Sequence, residues 1–343
     1  MSNDTKFSKA RDSVFDMIKG LLALSVIIGH SITGHLYAVI FSFHMPMFFI
    51  IAGYFFTQRS FFAELKICSK RVIRPLLFSQ LIVVAIACIM WLVSDTNIVI
   101  ERVLSVLWGG NSGMCVFKRN LWVGPLWFLY AYFCARLMFN LIVRIRNVLL
   151  LLCVSIFTSI IAVNLDVYGD APFSFFASVC ALSFMTVGYL IKKNDFLHKK
   201  NMLRPISIIC WLAILSLHRN MDMHLGQYVG YFVFDLLGSV GAFFFFHFIA
   251  DSMTKSENGT ENLWIKYLTI LGKYCFVVFV IHSIECIFLQ DAWRLFMNKL
   301  RIYTFLGSFS QIFVVVLRLA LVLSITVLVS KVKFLKERIF GIR

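Results

Sequence analysis

The chain has 343 residues, of which 60% are hydrophobic and only 15% charged, whereas a soluble domain is roughly 45–50% apolar and about 25% charged. That balance excludes an ordinary soluble globular protein and predicts an all-α, polytopic transmembrane helical bundle. The net charge of +16, from 33 basic and 17 acidic residues, would suggest nucleic acid in a soluble protein. Here it is read first as topology, because Lys and Arg collect in cytoplasmic loops, and no nucleic-acid partner is expected.

A span needs roughly 20 mainly apolar residues to cross about 30 Å of hydrocarbon. About ten segments reach or approach that length: Phe15–Ser31, Leu36–Phe56, Ile73–Val93, Leu121–Val143, Val148–Leu165, Phe173–Ile191, Pro205–Leu217, Tyr228–Ala250, Leu271–Leu289 and Ser308–Ser330. The seventh is the shortest. Basic residues crowd alternate connections: Lys6, Lys9 and Arg11; Arg59 to Arg74; Arg144 and Arg146; Lys192 to Arg204; Lys255 and Lys266; and the tail from Lys331. The opposite side holds only a few, among them Arg102, Lys118, Arg119 and Arg219. Both termini are therefore expected in the cytoplasm. No cleavable signal peptide and no appended soluble domain are expected. The external connection with Gly109-Gly110-Asn111-Ser112-Gly113 reads as an ordinary loop or a lid. The nine cysteines lack a C-x-x-C pair and any metal spacing, so they read as packing residues, with no metal site. The sequon Asn258-Gly-Thr260, in a cytoplasmic connection, is read as chance.

Ionisable groups at membrane depth are costly and need a partner or a task. In the first span Asp16 and Lys19 sit one turn apart, and His30 follows Lys19 by almost three turns on the same helix face, about 16 Å along the axis. Asp16 and Lys19 fit either an interfacial ion pair or a functional pair, while His30, with His35 and His44 close behind, reads as functional. In the second span His44 precedes Pro46, where a break would be tolerated only beside protein or a wet cavity; a simple proline kink is the plainer reading. At the mouth of the third, Lys70, Arg71 and Arg74 stand before Pro75, and Arg71 and Arg74 at i, i+3 share a face. They suit a phosphate clamp or a positive-inside anchor. Further on come Trp127 and Tyr130, then Asp235, then His282 and Glu285 at i, i+3, and Arg318, which needs an anion that Asp235 or Glu285 could supply. Each of the ionisable groups fits a structural buried pair as well as a site, and the aromatics fit a lipid-facing or interfacial place.

Taken together, Asp16-x-x-Lys19-x10-His30, Phe43-His44-Met-Pro-Met-Phe-Phe-x3-Gly53-Tyr54-Phe55, Arg71-x-x-Arg74-Pro75, Trp127-Phe128-Leu129 and Leu271-Gly272-Lys-Tyr274-x7-His282 resemble the membrane-bound acyltransferase family 3. No single motif is specific, but their order is. The resemblance runs from about residue 11 to 330 and leans to the fucose-4-O-acetylase and nodulation-factor acetylase branch. It implies an acetyl-CoA-dependent O-acetyltransferase of the bacterial inner membrane, acting on a sugar or polysaccharide hydroxyl, with membrane lipid around it. Family members often carry Arg where this chain has Lys19. The implied roles are His30, Lys19 and Asp16 in catalysis, with His30 as general base and Lys19, oriented by Asp16, at the oxyanion or thioester. Arg71, Arg74 and Lys70 would bind the donor phosphates, and His44, Trp127, Tyr130, His282 and Glu285 the acceptor. The competing functions are a transporter or flippase for a saccharide or its lipid-linked precursor, for which no internal inverted repeat is visible, and a structural scaffold.

Overall fold

The uninterrupted apolar runs and the scarcity of proline leave the backbone little choice but to satisfy its own hydrogen bonds within helices. In the computed structural model, residues 2–94, 99–110, 115–116, 119–166, 171–199, 202–217, 221–223, 226–228, 231–255, 262–299 and 309–342 are described. Among them the only pairing of strands is a two-residue antiparallel one, Cys115–Val116 with Arg119–Asn120. The rest is helical: α1 (Ser2–Gly29), α2 (His35–Phe41), α3 (His44–Tyr54), α4 (Phe61–Cys68), α5 (Arg74–Ser94), α6 (Val99–Trp108), α7 (Trp127–Ile142), α8 (Val148–Asp166), α9 (Phe175–Lys193), α10 (Leu203–Ser216), α11 (Phe232–Lys255), α12 (Leu263–Lys273), α13 (Cys275–Lys299) and α14 (Ser310–Lys331).

Each apolar segment read from the sequence coincides with a helical element. Seven stretches among the described residues are long and apolar enough to cross a membrane, and the bent pair α12–α13 makes an eighth if it is one span. The protein is a multi-pass, all-α bundle. Large apolar side chains such as Leu81, Leu92, Ile209 and Phe248 remain exposed on its flanks, as a lipid-facing surface requires. Cys68, Cys88, Cys134, Cys153, Cys180, Cys210, Cys275 and Cys286 are free thiols. The sequon Asn258-Gly-Thr260 and the turn residues Asn111, Ser112 and Gly113 lie outside the described residues.

Three boundaries differ from the sequence reading. The second segment breaks at Ser42 and Phe43, ahead of His44 rather than after it; Pro46 then falls in the first turn of α3, where its missing N–H costs nothing. The break is held from two other helices, since Trp211 Nε1 donates to Ser42 Oγ at 3.0 Å and Ser239 Oγ to the Ser42 carbonyl at 3.3 Å. The third helix starts well before Ile73: Ser60 caps α4 by accepting from the Ala63 amide, and a π-helical turn, Ser69–Ile73, joins α4 to α5. The ninth segment bends by 73° between α12 and α13.

Lipid tails are as apolar as leucine, so helices in a bilayer associate by close packing at small residues rather than by a hydrophobic drive. Crossing α3 and α9 shows this. A Cβ at Gly188 would sit 2.0 Å from the Ile50 carbonyl oxygen, and one at Gly53 would sit 1.9 Å from that of Met185. Gly188→Val is therefore expected to lower the thermal midpoint of the detergent-solubilised protein, by overpacking worth about 1–3 kcal/mol or more. Fluorescence-detected size-exclusion after heating would measure it, and an unchanged midpoint would show that the two backbones do not meet there.

Candidate active site

α1 carries the three residues that the sequence marked first. Lys19 Nζ lies 2.5 Å from Asp16 Oδ1, an i, i+3 ion pair. The Asp16 carbonyl is pressed by α12: a Cβ at Gly272 would fall 1.7 Å from that oxygen, so only glycine lets α12 approach. Near the other end of α1 stands His30. Lys19, within α1, and His30, just past its C-terminal end, line different cavities. One, of about 380 Å³, is lined by Lys19, Arg59, Arg71, Arg136 and Lys273 with a wall of Phe48, Phe55, Phe128, Tyr132, Phe276 and Phe279. The other, of about 420 Å³, is lined by His30, Thr33, Tyr37, Phe41, His44, Trp122, Trp127, Asp222, Phe279 and Gln290 among others. Phe279 belongs to both. The first is basic and aromatic, suited to an anion with an apolar arm; the second offers histidine, hydroxyl and amide groups and one carboxylate, Asp222, with indole and phenyl faces.

Lys19 and His30 are separated by about 16 Å along α1 and line different cavities. One tetrahedral centre cannot touch both, so the oxyanion role implied for Lys19 does not fit beside His30.

In the second cavity, His44 is buried and its Nδ1–H donates to the Ile40 carbonyl at 2.8 Å, which leaves Nε2 as the acceptor of the neutral ring. Tyr37 stacks on Phe41 at 3.9 Å between centroids and its hydroxyl donates to Asp222 Oδ2 at 3.4 Å. The His30 ring lies 5.4 Å from that of His282. Behind the two histidines is a buried polar knot. His282 Nδ1 donates to Glu285 Oε2 at 3.0 Å, Trp293 Nε1 to Glu285 Oε1 at 2.6 Å, and Arg318 Nη2 to Glu285 Oε2 at 2.9 Å. Arg318 Nη1 also donates to the His30 carbonyl at 2.6 Å. Glu285, not Asp235, is thus the anion that Arg318 requires. Donor atoms of His282, Glu285 and Cys286 lie within 4.8 Å of one another, close enough to share a metal ion. The Arg318 guanidinium bonds both the carboxylate and, at 3.0 Å, the Cys286 sulfur, so a dication there would meet a fixed positive charge.

Not every expected site residue joins these cavities. Tyr130 is buried among α5, α6 and α7, donating to the Val106 carbonyl and accepting from Gln80 Nε2. The space beside it is about 10 Å³, too small for a sugar, so it is packing rather than an acceptor contact. Arg71 reaches the basic cavity, but Arg74 donates from Nη1 to the Arg338 carbonyl at 3.4 Å, and Lys70 is solvent-exposed and not among that cavity's lining residues. The expected shared face assumed α-helical spacing; the wider π turn over Ser69–Ile73 changes the phase between Arg71 and Arg74. Conversely, Arg59, Arg136, Lys273, Tyr37, Trp122, Asp222 and Gln290 were not assigned to a site. Arg136 and Lys273 had a signal, being charged residues within or at the edge of spans; Tyr37 and Gln290 had none.

The family model for acyltransferase family 3, described as an acyltransferase domain, matches residues 12–330. The chain belongs to acyltransferase family 3. It is a membrane acyltransferase, and the matched span takes in Asp16, both cavities and Arg318. No curated protein and no solved structure matches the acyltransferase significantly. Glu285 and Arg318 side chains are each 3% exposed, so Glu285→Ala would strand a buried guanidinium and is expected to cost about 3–5 kcal/mol, with Glu285→Gln milder. Thermal unfolding in detergent measures this; a midpoint for Glu285→Ala equal to wild type would mean that Arg318 does not depend on Glu285.

Proposed function

We propose that this acyltransferase moves an acyl group, acetyl in the first instance, from acyl-CoA to a hydroxyl of a cell-surface polysaccharide or a lipid-linked saccharide. It would do so in a bacterial inner membrane, with both termini cytoplasmic. The observation that carries the reading is the pair of cavities of different chemistry, one beside Lys19 and one beside His30, with Phe279 lining both. The basic one suits the phosphates of the donor, and its aromatic wall suits the apolar arm and thioester. The second suits a sugar, which binds through aromatic faces and a few neutral polar groups.

In this reading the donor arm passes Phe279 to bring the thioester carbonyl toward His30. His30, as a neutral imidazole, takes the proton of the acceptor hydroxyl as its oxygen attacks that carbonyl. The tetrahedral intermediate then collapses, the carbon–sulfur bond breaks, and the thiolate leaves with the proton returned by His30. Lys19, paired with Asp16, serves the donor at the basic end rather than the reacting carbon. His282 and Glu285 hold the wall behind His30, and His44 and Trp127 face the acceptor.

The test is transfer of labelled acetyl from acetyl-CoA by purified protein in liposomes, with a panel of sugar acceptors. Wild type is expected to transfer, and His30→Ala to lose about 10²–10⁴ in rate. Equal rates in the two proteins would remove His30 from the chemistry. No transfer by wild type to any acceptor would count against the donor and acceptor classes.

A further inference from the structure

We infer that Arg59 and Arg136, held in place by the buried carboxylate of Glu64, are the residues that read the donor's phosphates, and so set selectivity for a phosphorylated thioester over an unphosphorylated one. The inference rests on the donor cavity proposed above and names the part of it that recognises charge.

Both guanidiniums line the basic cavity, whereas Glu64 does not. Glu64 lies on α4 with its side chain fully buried. Its Oε1 accepts from Arg136 Nε at 2.8 Å and lies 2.5 Å from Nη2, and its Oε2 accepts from Arg59 Nη1 at 3.4 Å. Two cations thus share one anion and a positive charge is left over. On Arg136, the edge formed by Nε and Nη2 is taken by Glu64, while Nη1 turns to the Tyr132 hydroxyl, 3.4 Å away on the cavity wall. The guanidinium also lies over the Phe56 ring, 5.5 Å from its centroid. That arrangement fixes the plane of the fork, and a fixed fork is what planar recognition of phosphate needs.

Arg59 sits in the link between α3 and α4, where a side chain would ordinarily wander. Its backbone is pinned on both sides by one buried residue of α7: the Arg59 amide donates to Asn140 Oδ1 at 3.2 Å, and Asn140 Nδ2 donates to the Arg59 carbonyl at 3.1 Å. Asn140 is one turn beyond Arg136 on α7, so one helix places both arginines. Ordering these side chains before the ligand arrives removes much of the entropic cost of binding. Glu64 is a positioning residue: it touches the arginines and not the ligand. A cluster that merely fastened α4 to α7 would not need its two cations turned to the cavity.

The experiment compares acetyl-CoA with S-acetylpantetheine, which has the same thioester and arm but no phosphate, as donors for the full-length protein in liposomes. Wild type is expected to prefer acetyl-CoA. Arg136→Ala and Arg59→Ala are expected to raise KM for acetyl-CoA about tenfold or more relative to any change in KM for S-acetylpantetheine, the loss of one charge-assisted hydrogen bond to a phosphate. Glu64→Gln is expected to shift KM in the same direction by less, and Arg136→Lys to recover only part of the loss. Should Arg136→Ala fail to fold, Arg59→Ala decides, since that side chain is 38% exposed. Equal losses with both donors, or a wild type indifferent to the phosphates, would overturn the inference while leaving the acyl-transfer reading intact. A wild type active with neither donor would instead defeat the donor assignment itself.

Discussion

Beside the cavity at His30, Glu285 accepts hydrogen bonds from His282, Trp293 and Arg318 at once, and Arg318 extends the set to the backbone of His30. Taking a carboxylate and a guanidinium out of water is costly, and the cost is offset here by hydrogen bonds to both groups, although Arg318 Nε is buried without a hydrogen-bond partner. Those partners lie on α1, α13 and α14, so the electrostatic demand of one buried ion pair holds three helices together. The position of His30 at the cavity follows from that demand.

The basic cavity repeats the arrangement with different residues. Glu64, also buried, gathers Arg59 and Arg136, and Asn140 anchors the link that carries Arg59. In each half a carboxylate stands behind the residues that face the ligand. Between the halves α1 runs as a strut, tied to α12 at Gly272 and to α14 through Arg318. Phe279 lines both cavities.

Much of this was legible one helix at a time. The apolar runs located the helical segments because burial in hydrocarbon needs length and composition, both of which are written locally. The pairing of Asp16 with Lys19 and of His282 with Glu285 followed from i, i+3 spacing, which a single helix settles alone. The motif order carried the family. Local assumptions also produced the errors. Arg71 and Arg74 were placed together on α-helical spacing, and a π turn separated them. Proline chemistry alone points to a break at Pro46, whereas the chain breaks at Ser42, where Trp211 and Ser239 from other helices stabilise the interruption.

The sequence by itself determined the membrane class, the helical segments, the pairs within each helix and the family, since all of these depend on neighbours within a few turns. The tertiary structure alone decided which charges meet across helices: Arg318 with Glu285 rather than Asp235, Arg136 and Arg59 with Glu64, and Tyr130 with packing rather than ligand. The reason is geometric. A helix presents its side chains at known angles about its own axis, but its rotation and tilt against its neighbours are set by close packing such as Gly53 against Met185, and no spacing along one segment records them. Of the excess of positive charge in the sequence, a few arginines and lysines, chosen by packing, line the cavity beside Lys19.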